Sequence, residues 1–177
     1  MRKKGLMVLA IGLSLAIVLG AMPFLGGCTP GGKKVYKVAI TQIATHPDLD
    51  SNRQGIIDAL AEKGFVEGEN IEYVIRNAEG DMNTAASIAD YFVSIEPDVI
   101  NAITTPSAQT LVAAAEGTGI PIVFSSVTDP VAAGLVPSWD SAASNVTGVS
   151  DWFEMPPQVE FIKEVLPDIQ VLGTAYN

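Results

Sequence analysis

One cysteine, Cys28, and one histidine, His46, are all that the 177 residues contain of those two types. A single thiol excludes a disulfide framework and any zinc site built on cysteines. A single imidazole is poor material for histidine-based metal sites and for most acid–base catalysis. The sequence also lacks a Gly-x-Gly-x-x-Gly turn after its first expected strand, a phosphate-loop lysine, a Gly-x-Ser-x-Gly elbow and a His-Glu-x-x-His pair. Its many serines and threonines therefore have no nearby base to activate them. Positive charge is scarce too, with 10 Lys and Arg against 20 Asp and Glu. Arg2, Lys3 and Lys4 precede residue 28 and no acid does, so the remaining 150 residues carry 7 basic and 20 acidic side chains, a net of −13. Such a chain repels a phosphate backbone unless its bases cluster, and these do not, which argues against a nucleic-acid partner.

What is present begins with three basic residues and an uncharged, mostly aliphatic run over 6–19, followed by Leu25-Gly26-Gly27-Cys28. This is the order of a signal peptide. A membrane-spanning helix is the rival reading, because no charge stands between Gly5 and Gly32. Pro23 and the Gly26-Gly27 pair weaken it by breaking the helix where a span should continue. The segment resembles the lipobox of bacterial lipoproteins, with Leu25 at −3, Gly27 at −1 and Cys28 as the lipidated residue; Gly26 at −2 departs from the usual Ala or Ser. The expected organisation is a signal peptide over 1–27 and a flexible tether over 28–34, with a membrane lipid anchor at Cys28.

From residue 35 onward short apolar runs alternate with amphipathic stretches, the rhythm of βα units. Strands are expected at 35–40, 71–75, 98–103, 120–124 and 146–149, with one more at 171–175. Helices are expected at 49–63, from Asp81 to about residue 95, at 105–117 and at 155–166. The run 120–124 is fully apolar and predicts burial on both faces. Thr105-Pro106 reads as a hydroxyl N-cap followed by proline at the first helical position. The fold class is therefore α/β, a doubly wound parallel sheet, in which ligands bind outside the carboxyl ends of the strands. That rule nominates the loops 41–48, 77–81, 104–107 and 125–130.

Within these loops the residue types point to a small zwitterion as one reading and to local capping as another. Thr105 and Ser107 stand at a helix start, where unsatisfied N–H groups and the helix dipole favour an anion such as a carboxylate; they equally read as caps. Thr128 and Asp129 follow a buried strand, and Asp129 suits an ammonium group, although Asp before Pro is also a common turn element. Gln42 offers an amide in the first loop beside His46. Asn77, Glu79 and Asp81 read as solvated or capping residues, and Trp139, Trp152 and Phe153 as packing residues among turns.

The motifs Thr41-Gln42-Ile43, His46-Pro47-x-Leu49-Asp50, Arg53-Gln54-Gly55, Thr104-Thr105-Pro106-Ser107-Ala108-Gln109, Ile120-Pro121-Ile122-Val123-Phe124, Val127-Thr128-Asp129-Pro130 and Asn145-Val146-Thr147-Gly148-Val149-Ser150 occur in that order. Together they resemble, over 35–177, the bacterial ABC-transporter substrate-binding lipoproteins of the tryptophan/tyrosine type. The resemblance implies the first lobe of a two-lobed, periplasmic-binding-protein-like fold that traps a ligand between its lobes. It places that lobe at 35–155 and the start of an incomplete second lobe at 156–177, since relatives of this type continue through a whole second lobe. It also implies an extracytoplasmic protein that is not an enzyme and needs no cofactor or metal. Its expected ligand is an aromatic amino acid passed to a permease driven by a cytoplasmic ATPase, with ligand contacts at Gln42, Thr105, Ser107, Thr128 and Asp129. A ligand sensor or an enzyme on the same scaffold is the alternative, which fold alone does not exclude.

Overall fold

The computed structural model describes residues 34–143 and 145–173. The expected signal peptide, Cys28 and nearly all of the tether lie outside the described residues. Strands β1 (Tyr36–Gln42), β2 (Ile71–Asn77), β3 (Val99–Ile103), β4 (Ile122–Val127) and β5 (Val146–Ser150) alternate with helices α1 (Pro47–Glu62), α2 (Met82–Ser94) and α3 (Thr105–Ala114); α4 (Met155–Val165) follows β5. All neighbouring strands pair in parallel, in the order β2-β1-β3-β4-β5. The chain winds outward from β1 to β2 and then returns to lay β3 on the other side of β1. This is the expected doubly wound sheet, and its direction reverses between β1 and β3, where such sheets open a crevice for ligands.

Alternation along each strand splits the core between two faces. Ala39, Ile100, Ala102, Ile122 and Phe124 face one layer, formed by Ala85, Ile88, Ala89 and Phe92 of α2 with Ala108 and Leu111 of α3. Val38, Ile40, Ile71 and Ile103 face the other, against Leu49, Ile56, Ile57 and Leu60 of α1. The helices start as their sequences dictate. His46 accepts the amide of Asp48 ahead of Pro47, and Asp81 accepts the amide of Thr84 at 2.6 Å. The hydrogen bonds from Thr84 hold the Asp81 carboxyl below its usual range. Gly64, at φ +88°, supplies the left-handed residue that ends α1.

Several boundaries differ from the sequence expectation. β1 continues two residues beyond Ile40, because the Gln42 carbonyl still accepts a neighbouring amide, that of Ala78. Thr41 and Gln42 therefore belong to the strand and not to the first loop. β4 starts later and ends later than 120–124. Pro121 has no N–H to give the ladder, and the first donor is Ile122, to the Asn145 carbonyl. β4 is also less enclosed than its apolar run implies: Val123 is only half-buried. The strand expected at 171–175 does not form over its described residues, 171–173. A short apolar run makes a strand only when a neighbour completes the ladder, and none of the five strands pairs with the described residues of this segment; Val171 is 84% exposed.

On β2, burial pushes the Tyr73 phenol above its ordinary pKa, with the charge of Glu67 adding to the effect. The Tyr73 hydroxyl is buried with no hydrogen-bond partner among the described residues. An unsatisfied buried hydroxyl is a standing cost, so Tyr73→Phe is expected to raise stability by about 1 kcal/mol. Chemical denaturation checks this, and a destabilised variant would show that the hydroxyl has a partner.

Candidate functional site

The carboxyl ends of β1, β3 and β4 lie at and beside the switch point of the sheet, with polar residues at or just beyond each end: Thr41 and Gln42 in β1, Thr104 and Thr105 after β3, and Thr128 and Asp129 after β4. Strain gathers at the same edge. Outside glycine, positive φ occurs at Glu79 (+51°) after β2, at Thr104 (+88°) after β3 and at Ser126 (+51°) in β4, with Glu96 beyond α2 the other described case. Such backbone is uncommon for residues with a Cβ, above all a branched one, and it persists where surroundings over-determine it.

Thr104 shows how. Its amide donates to the Ser125 carbonyl as though β3 continued, while its carbonyl already accepts the Ala108 amide as the first helical bond of α3. Strand must become helix within one residue, so Thr104 is the N-cap in place of the expected Thr105. Proline stands second in the helix, and no side chain caps the end. The Thr104 hydroxyl instead donates to that of buried Ser107 at 3.3 Å. Thr105 is half-buried and its hydroxyl makes no hydrogen bond among the described residues, so it stays available beside the uncapped helix start.

The end of β4 is irregular. The β4–β5 register shifts between Phe124 and Val127, and Ser125 and Ser126 form the bulge. Beyond it Thr128 is exposed, and its hydroxyl makes no hydrogen bond among the described residues. Asp129 is half-buried, and one of its carboxylate oxygens accepts the amides of Val131 and Ala132 at 3.0 and 2.9 Å. The local turn thus uses one oxygen and leaves the other to a partner. Gln42 is arranged differently. It is fully buried, its amide nitrogen donates to the Ala44 carbonyl and to Asp50, each at 2.9 Å, and its amide oxygen accepts from Arg53. Arg53 closes the ring with Asp50 at 3.1 Å. Three hydrogen-bonding positions of Gln42 are thereby taken by the protein itself.

The model of the family described as ABC transporter substrate binding protein matches residues 37–177. The chain belongs to that family. It is 43% identical over 145 residues to a tyrosine-binding protein of Clostridioides difficile (strain R20291), a match that covers 82% of this chain and 41% of that protein. Among solved structures it is similar to a substrate-binding protein of Clostridium difficile in its ligand-free, open form, with 44% identity and a TM-score of 0.70 over 76% of this chain and 45% of that one. It is also similar to the ABC domain from Streptococcus pneumonia in complex with L-Trp, with 35% identity and a TM-score of 0.69 over 73% and 43% of the two chains. The chain therefore spans less than half the length of these relatives, and its sheet is one lobe of the periplasmic-binding-protein-like fold.

In this family member the structure brings Thr105, Ser107, Thr128 and Asp129 to the carboxyl edge of the sheet, with Gln42 buried at the end of β1 along the same edge. His46 serves as the cap of α1. Asn77 donates to Thr45 at 2.8 Å and Glu79 accepts from the same hydroxyl at 3.4 Å, so the second loop is tied to the first. Trp139 and Trp152 meet edge to face with centroids 6.1 Å apart, each about half exposed. The residues that sequence reasoning missed are Asp50, Asn52 and Arg53. They occupy the first two turns of α1, where polar side chains look like a solvated face. The available signal was position: a helix that follows β1 directly brings those turns to the carboxyl edge.

Among the described residues no helix is long and apolar enough to cross a membrane, and no group of three or more His, Cys, Asp or Glu is placed to hold a metal ion.

Proposed function

We propose that this chain performs solute capture for an ABC importer, binding the backbone end of an aromatic amino acid at the carboxyl edge of its sheet. The carrying observation is the set of groups at the carboxyl ends of β3 and β4, beside the β1/β3 switch point, that keep hydrogen-bonding capacity. The uncapped start of α3 with Thr105 and Ser107 suits the ligand carboxylate, and the free oxygen of Asp129 suits its ammonium group, with the Thr128 hydroxyl beside it. Gln42 serves the site from below, by fixing the loop after β1 through Ala44 and Asp50. The use of His46 as a helix cap weighs against the enzyme reading. The tyrosine-binding relative and the L-Trp complex support an aromatic side chain. Residues 35–155 form the first lobe in this reading and 156–177 begin the second. Cys28 carries the lipid that keeps the protein outside the cytoplasm, where a permease with its ATPase receives the ligand.

Chemical-shift titration follows weak as well as tight binding and tests the proposal. Tryptophan, tyrosine and phenylalanine are expected to bind at least about tenfold more tightly than alanine, because a ring buries far more apolar area than a methyl. They should be recovered unchanged. Preference for a sugar or a dicarboxylate would overturn the assignment, and chemical turnover of the ligand would favour an enzyme.

A further inference from the structure

Asn52 of α1 makes two hydrogen bonds across more than seventy residues of sequence, and both end on the bulge of β4. Its amide oxygen accepts from the Ser125 hydroxyl at 3.1 Å, and its amide nitrogen donates to the Ser126 hydroxyl at 2.9 Å. Ser126 is the residue of β4 that has no partner in either ladder: pairing with β3 ends at Ser125, and pairing with β5 resumes at Val127. It also carries the left-handed φ of +51°. Its neighbours are held by the sheet. The Ser125 carbonyl accepts the Thr104 amide, the Val127 carbonyl accepts the Asp151 amide, and the Thr128 carbonyl accepts the Ser150 hydroxyl at 2.8 Å. Ser126 is thus a pivot, fixed on both sides by backbone and at its own position by Asn52.

We propose that Asn52 is a positioning residue of the ligand site, which holds Ser126 left-handed and so sets the direction in which β4 delivers Thr128 and Asp129. The assignment rests on the proposed function in taking that edge as the ligand site. The physical reason is that a bulge turns its strand through an unpaired residue, and a non-glycine residue stays left-handed only when something outside the ladder holds it. Asn52 supplies both a donor and an acceptor for the purpose. Two consecutive serines supply the matching hydroxyls.

The test uses three substitutions in the whole chain. Asn52→Leu keeps the shape and removes both bonds; it is expected to weaken tryptophan binding about tenfold, with little change in melting temperature. Exchange of the Thr104 amide should speed up by a similar factor. Asn52→Asp should restore both readouts, because both serine hydroxyls can donate to a carboxylate. Ser126→Gly adopts a positive φ without cost, so the effect of Asn52→Leu in that background should shrink to below about threefold. An undiminished tenfold loss in the glycine background would mean that Asn52 touches the ligand directly, and would overturn the positioning role. If the unsubstituted chain binds no amino acid, the proposed function fails; the positioning role is then decided by Thr104 exchange and by the backbone chemical shifts of Ser126. Both unchanged in Asn52→Leu would overturn it, and both altered would support it.

Discussion

Replacing Gly148 with alanine is expected to destabilise the protein by about 3 kcal/mol, at the upper end of what overpacking usually costs, and to lower its melting temperature by roughly 10 °C. Gly148 lies opposite Phe124 in the β4–β5 ladder, immediately before the register shift. A Cβ at this position would run into the Phe124 carbonyl oxygen and into its ring. A flexible side chain could yield to such an intrusion. Here one of the obstacles is backbone, and the ring belongs to a core residue only 3% exposed, so the strand itself must shift. Because Ser150 of β5 and Asp151 just after it also anchor the end of β4, the damage should spread to the candidate site. Hydrogen exchange should rise across 146–151 before it rises in β1 or β3. Unchanged thermal stability of Gly148→Ala would show that β5 does not pack as described.

With Asp129 holding the ligand's ammonium group as proposed, Asp129→Asn is expected to weaken amino-acid binding by about 30-fold or more, because the proposed desolvated charge pair loses one member. The structure separates this loss from damage to the fold. The carboxylate oxygen that accepts the Val131 and Ala132 amides has a counterpart in the asparagine carbonyl, so the turn over 129–135 and its buried residue Leu135 should persist. The melting temperature should move little while affinity falls. Calorimetry or chemical-shift titration with tryptophan measures the effect, and an unaltered affinity would remove the ammonium group from Asp129.

The parallel sheet was legible because each strand of the buried centre is a short apolar run and each helix has its punctuation nearby: His46-Pro47 before α1, Asp81 before α2 and Gly64 after α1. Candidate binding residues were legible as residue types in loops, but not as roles. Gln42 offers the same amide to a ligand or to Asp50 and Arg53, and only the path of α1 over the sheet brings those two within reach. Asp129 reads as a turn residue and as an ammonium partner, and the structure shows the first use occupying a single oxygen. The strand expected at 171–175 does not form over the described residues 171–173 for a related reason: a short apolar run suits a strand but says nothing about whether a neighbour completes its hydrogen bonds.

By itself the sequence determined the α/β class, the acidic charge balance that argues against a nucleic-acid partner, and the order of motifs that carries the family likeness. These depend on local composition and periodicity, which the chain holds along its own length. Tertiary structure alone decided that β1 and β3 would flank the switch point, that β4 would break its register at Ser125-Ser126, and that Asn52 would reach the bulge. Each of these joins residues tens of positions apart, and its free energy exists only once α1 has packed on the sheet and β5 has closed against β4.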